Sequence, residues 1–199
     1  MPHSSPATPP QPEQYIVRPT AHCPNNFLPV LVYRGVLPEP HNEETTSTYL
    51  QRYGWVKKGT WGTITTKHFH PNTHECYGIF QGDSELVFGE GGGDTSGTGA
   101  RCFVRAGDVV VVPAGVAHAS VTQERKLEEG GDGGERYRYI GVYPEGAPKW
   151  RNEYGKKPLV DNRELAEEVS YVPVPDKDPI SGLGGPLVQI WTGIGLRNT

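Results

Sequence analysis

The sequence predicts an all-β sandwich or barrel, and three observations carry that expectation. Short runs rich in Val, Ile, Thr, Tyr and Phe recur at intervals of about ten residues, with turn signals between them. The chain of 199 residues contains 26 Gly and 19 Pro, too much punctuation for long helices. No internal repeat is visible, so a single copy of one domain is expected, with residues 1–13 as a solvated tail, 14–199 as the domain and about 55–145 as its core.

Taken in order, residues 1–13 are rich in Pro and Ser and lack an apolar run. Short extended pieces follow at Tyr15–Val17 and Val30–Tyr33. Glu43–Tyr53 is the first credible helix, with Tyr49, Leu50 and Tyr53 at helical spacing and Gly54 as its stop. Trp61–His70 is a β-branched strand, and Cys76–Phe80 and Ser84–Gly89 form a strand pair joined by a Gln-Gly-Asp turn. Residues 89–100 form a Gly-rich hairpin loop. They lack the Lys-Ser/Thr ending and following helix of a phosphate loop, so a flexible connection is expected.

Arg101–Ala106 and Val109–Val112 are further strands, and Pro113-Ala-Gly115 breaks the run before His118 starts another. A second Gly-rich and charged loop covers 125–136, and Tyr137–Tyr143 is the next strand. The remainder offers a short helix at Asn162–Val169, an extended Pro-rich stretch at Val172–Pro179 and an edge strand at Pro186–Thr192.

Composition narrows the function. Net charge is -4 and no basic cluster is present, which disfavours nucleic acid as a partner. Cys23, Cys76 and Cys102 show no metal-type spacing and no disulfide framework. No secretory h-region, no N-x-Ser/Thr sequon and no run near the roughly 18 apolar residues of a membrane span is found. The expectation is a cytoplasmic protein with no membrane partner.

The chemistry concentrates in GTITTKHFHPNTHECYGIFQG, from Gly62 to Gly82, where His68, His70, His74 and Glu75 fall within eight residues. Imidazole and carboxylate bind divalent transition metals. In a strand, residues two apart share a face, so His68 and His70 point together and Phe69 points away. Pro71–His74 make a turn that lets Glu75 start the next strand, and His118 arrives from a strand across the barrel. These four donors leave one or two positions free for water, oxygen or substrate. His74 is ambiguous: it replaces His70 as a ligand, or it orients Glu75 or substrate, and it is the candidate catalytic residue. Cys76 should point into the core. Tyr77, Tyr139, Arg101 and Arg138 are candidate helpers without a position fixed by spacing.

The order Gly62-x5-His68-x-His70-x4-Glu75-x6-Gly82 resembles the first motif of the cupin superfamily, and Gly107-x5-Pro113-x-Gly115-x2-His118 resembles the second. The last position of the second motif departs, with Thr122 in place of Asn. Beyond the motifs, Pro24-Asn-Asn26, Leu28–Tyr33, Val142–Gly146, Val174–Pro179, Gly185–Leu187 and Trp191 are similar to a branch of single-domain cupins. The resemblance implies a jelly-roll β-barrel with a few short peripheral helices. It also implies one divalent ion per chain (Fe, Mn, Ni, Cu or Zn) on His68, His70, Glu75 and His118. A mononuclear metal-dependent enzyme is expected, an oxidoreductase such as a dioxygenase or a decarboxylase-like enzyme, acting on a small organic substrate. A non-catalytic binder of a metal and small ligand, a Lewis-acid isomerase and a storage protein are the alternatives. Pairing of edge strands across a homodimer is expected as well.

Overall fold

The computed structural model describes residues 8–121 and 136–195. Its elements run β1 (Glu13–Tyr15), β2 (Val30–Tyr33), α1 (Glu43–Leu50) with a 3-10 turn at Gln51–Tyr53, and β3 (Trp55–Trp61). Then come β4 (Glu75–Gln81), β5 (Asp83–Phe88), β6 (Ala100–Arg105), β7 (Val109–Val112), β8 (His118–Ser120) and β9 (Arg138–Pro144). A 3-10 turn at Leu159–Asp161 leads to α2 (Glu164–Ser170), β10 (Lys177–Asp178), β11 (Gly182–Leu183) and α3 (Pro186–Gly195).

The strands build a six-stranded sheet in the order β1-β2-β7-β4-β9-β3 and a three-stranded sheet in the order β6-β5-β8, all neighbours antiparallel. Between them lies an apolar core that includes Val30, Val32, Ile79, Leu86, Phe88, Val104, Val110 and Val112. β2 and β7 are buried on both faces, which is why they read as unbroken apolar runs. Their alternate residues, Leu31, Tyr33, Val109 and Val111, face outward and are covered with Leu50, Trp55, Leu187 and Trp191. No helix among the described residues is long and apolar enough to cross a membrane.

Several expectations change. The strand expected over Trp61–His70 lies earlier, at Trp55–Trp61. The β-branched stretch after it stays off the ladders and, among the described residues, rejoins the sheets through Ser120 N–H to Ile64 O (2.7 Å) and a bridge between His68 and His118. β4 and β5 do not pair, because Gly82, at φ +63°, turns the chain out of the large sheet and into the small one. Pro186–Gly195 is a helix and not an edge strand: Leu187 and Trp191 stand four apart on one buried face, and proline suits a first helical turn.

The loop at 89–100 is knitted and not merely a connection. Glu90, buried, accepts from Gly97 N (2.8 Å) and Gly99 N (3.1 Å) and pairs with Lys67. Asp94 accepts from Thr20 Oγ1 at 2.7 Å and Gly91 N at 2.9 Å, and lies 2.9 Å from His22 Nδ1. The second Gly-rich loop lies outside the described residues apart from Arg136, and Thr122 lies outside them too. β1 begins at Glu13, where the tail was expected to end.

α1 sits over β4 because Gly78 offers no side chain. A Cβ there would lie 2.6 Å from both Leu50 Cδ1 and Thr46 Cγ2. Gly78→Ala is therefore expected to push α1 off the sheet and cost about 1–3 kcal/mol, read as a lower midpoint in thermal denaturation.

Candidate metal centre

Two short backbone bridges hold the histidines. His68 N–H donates to His118 O at 3.2 Å and His118 N–H to His68 O at 2.8 Å, so the second motif sits beside the first and not across the barrel. Phe69 exchanges hydrogen bonds with Glu153 (2.8 and 2.9 Å), and Gly115 N–H donates to His70 O at 2.8 Å. Phe69 is fully buried on the opposite side against Cys23, Ala117 and Leu165, which fixes His68 and His70 on a common face. Gly115 has φ +80°, and a Cβ on it would lie 2.7 Å from Val169 and 2.8 Å from Asn25 O, so glycine is demanded twice over.

Each of the three rings then gives its Nδ1–H to a backbone carbonyl: His68 to Thr66 O (2.8 Å), His70 to Arg151 O (3.0 Å) and His118 to Val116 O (2.9 Å). A carbonyl only accepts, so Nδ1 carries a proton in every ring and Nε2 is the atom turned to the site, where an ion would displace any proton it holds. One ring nitrogen from each of the three histidines lies within 4.8 Å of the others, and all three residues are buried. His118 Nε2 is a buried atom with no hydrogen-bond partner. Such an orphan costs about 1–3 kcal/mol unless something binds there, and a divalent ion is what three imidazole lone pairs suit.

Glu75 completes the set. Its Oε2 lies 3.0 Å from His70 Nε2 and 3.5 Å from His118 Nε2. Burial is the largest single influence and would raise the Glu75 carboxyl, but the charges and hydrogen bonds of His70 and His118 together outweigh it and hold the carboxyl well below the usual range. Burial likewise opposes charge on His70, and the Glu75 carboxylate more than restores it, so His70 is raised. His68 is pushed down to about 3 by burial and then by the nearby His118. The site therefore offers a charged carboxylate and at least one firmly neutral imidazole, which is the state metal ligation needs.

His74 is not in this constellation, which corrects its candidacy as ligand or catalytic base. It turns to the other face of the sheet, where Nε2–H donates to Pro173 O (3.1 Å) and Nδ1 accepts from Ala114 N–H (3.0 Å). Its ring packs 4.8 Å from that of Trp191, and burial depresses it to about 4. The reason is strand alternation: Glu75 faces in, so its neighbours His74 and Cys76 face out, and Cys76 packs in the outer core as expected. Arg101 and Arg138 also stand away from the site, Arg101 against Glu85 and Arg138 near Glu43 and the Phe80 ring. Tyr77 and Tyr139 do border it, with ring centroids 4.4 Å apart.

A cavity of about 10 Å³ adjoins the histidines, lined by His68, His118, Tyr77, Tyr137, Tyr139 and Ser120 with apolar Ile64 and Leu86. Tyr137 OH borders it, buried and without a partner. Tyr143 was not anticipated from sequence: its hydroxyl donates to Glu75 Oε1 at 2.6 Å. The signal was present in YRYIGVY, since Tyr139, Gly141 and Tyr143 repeat at a period of two and so share the inner face of β9, with Tyr137 just before it in the same phase.

Residues 55–127 match the family model described as Cupin. The chain is 29% identical over 164 residues to the uncharacterized protein YjlB of Bacillus subtilis (strain 168), covering 82% of this chain and 86% of that one. Among solved structures, an oxalate decarboxylase mutant of Bacillus subtilis is 17% identical with a TM-score of 0.31, covering 64% of this chain. The vicilin of Solanum melongena is 15% identical with a TM-score of 0.33, covering 70% of this chain. This chain spans only 28% of the decarboxylase chain and 32% of the vicilin chain. The family match falls on the strands and turns that carry all four inward donors, and the likeness to YjlB runs through most of the remainder; the chain is similar to the cupin family over 55–127 and to YjlB over most of its length.

Proposed function

We propose that this protein is a metal-binding cupin and a mononuclear metal-dependent enzyme, an oxidoreductase of dioxygenase type or a decarboxylase-like enzyme acting on a small organic substrate. The observation that carries it is the convergence of three buried imidazoles, each turned Nε2-inward because its own Nδ1–H is held by a backbone carbonyl. His68, His70, His118 and Glu75 would hold the ion. When bound, a divalent transition ion supplies Lewis acidity and, for redox-active ions, an electron path to oxygen or to a substrate carboxylate.

The chain's own side chains do the rest. Tyr77, Tyr137 and Tyr139 are driven far above the usual phenol range by burial, so they serve as hydrogen-bond donors and not as bases. Tyr137 OH, with no partner of its own, is placed to donate to an oxygen of whatever enters the cavity. The space there suits a group about the size of one water, enough for one small ligand atom beside the ion. Among the described residues, the titratable groups facing the cavity are ligands and protonated phenols, with His74 sequestered elsewhere. That favours chemistry driven by the ion over isomerisation, which needs a free base.

The test is reconstitution with Fe(II), Mn(II), Ni(II), Cu(II) and Zn(II) in turn, followed by oxygen uptake and carbon dioxide release on a panel of small hydroxy, keto and carboxylic acids. About one ion bound per chain and turnover with at least one ion is the expected result. Stoichiometric metal with ligand binding but no turnover by any ion would leave a binding protein, and no metal uptake at all would remove the mechanism.

A further inference from the structure

The Glu75 carboxylate is held asymmetrically. Oε2 faces His70 Nε2 (3.0 Å) and His118 Nε2 (3.5 Å), while Oε1 is turned away and accepts the Tyr143 hydroxyl at 2.6 Å. Tyr143 is itself fixed: its ring stacks on Trp150 with centroids 5.1 Å apart and planes at 11°, and only 2% of the residue is exposed. Trp150 in turn meets Trp61 edge-on at 6.0 Å. A phenol clamped in this way cannot swing aside without breaking an aromatic stack.

We infer that Tyr143 is a positioning residue that makes Glu75 a single-oxygen ligand. An unclamped carboxylate can close on an ion with both oxygens; here one is spoken for by a short, charge-assisted hydrogen bond. Three imidazoles and one carboxylate oxygen leave about two positions on a six-coordinate ion, whereas a two-oxygen Glu75 leaves about one. The clamp thus decides whether substrate and a second small ligand bind together or compete for one place. The inference rests on the metal reading of the site, and it assigns to β9 a part in the site's chemistry beyond scaffolding.

The test uses the full chain loaded with Mn(II), with coordinated water counted by deuterium electron spin-echo modulation in D2O. The wild type is expected to hold about two exchangeable waters and Tyr143→Phe about one, because Phe keeps the stack on Trp150 and frees Oε1. Trp150→Leu keeps the phenol but removes its support, and an intermediate count is expected. It also carries the test if Tyr143→Phe fails to fold by circular dichroism. Equal water counts in wild type and in every folded variant would overturn the inference while leaving the metal site intact. A wild type that takes up no Mn(II) would instead overturn the metal reading, and this inference with it.

Discussion

His118→Ala is expected to abolish metal retention, lowering affinity by more than about 100-fold, since even residues that only support a ligand are worth 10–100-fold. His118 supplies the orphan Nε2, and its main chain is one half of the bridge that also seats His68. The substitution leaves the bridge in place, because both of its hydrogen bonds are backbone, and so removes a donor without removing the strand. Stability without metal should change little, as the lost side-chain bond to Val116 O is offset by losing a buried unsatisfied atom. What should vanish is the stabilisation that added metal confers, about 2.7 kcal/mol when the ion is present at 100 times its dissociation constant. His68→Ala should behave in the same way. His74→Ala should do the reverse: full metal content, but a loss of about 2–4 kcal/mol in the metal-free protein, because it leaves Ala114 N–H and Pro173 O unpaired and empties the space beside Trp191. Metal analysis beside thermal melts with and without metal reads all three variants. A His118→Ala protein that kept its metal would sink the assignment.

The contrast between these histidines shows what the sequence made legible. The i, i+2 rule alone placed His68 with His70 and turned Phe69 away, and backbone bridges deliver that arrangement. Applied one turn further on, the same rule separates His74 from Glu75, yet the turn at Pro71–Asn72 interrupts the count and left two places open for His74. Pairing partners were the harder matter. Nothing local in Gln81-Gly82-Asp83 tells a hairpin from a crossing between sheets; the choice is made by β7 and β9, distant in sequence, which occupy both edges of β4. Carboxylates that gather loop amides, such as Glu90 and Asp94, were also hidden. They lie inside a Gly-rich run whose composition spells flexibility, and only their burial against Lys67 and Thr20 shows them to be organisers.

Asp178→Ala is expected to be among the most damaging single changes outside the metal site, at about 3–5 kcal/mol. The carboxylate is fully buried, with Oδ1 accepting from Ile180 N (2.7 Å) and Ser181 N (2.9 Å) and Oδ2 accepting from Leu187 N (2.8 Å) and Tyr33 OH (2.5 Å). One side chain therefore ties β2, the turn between β10 and β11, and the first turn of α3. Removing it strands these donors, and Ala cannot fill the space. α3 would loosen, and with it Leu187 and Trp191, whose indole N–H donates to Pro29 O at 3.0 Å and whose ring covers His74. At about 2–4 °C per kcal/mol for a domain of this size, the midpoint should fall by about 6–20 °C. Asp178→Asn keeps the shape and one acceptor oxygen, so it should lose roughly half as much. Metal content at low temperature should survive both changes, because the proposed ligands sit on His68–His70, β4 and β8, whereas the hydrogen bonds of Asp178 go to β2, the turn between β10 and β11 and the start of α3. If Asp178→Ala melted within about 1 kcal/mol of the wild type, the segment from Val172 onward would be ornament. That segment is instead the outer wall of the domain, packed on the large sheet through Ile180, Leu187 and Trp191, and Asp178 is its bolt.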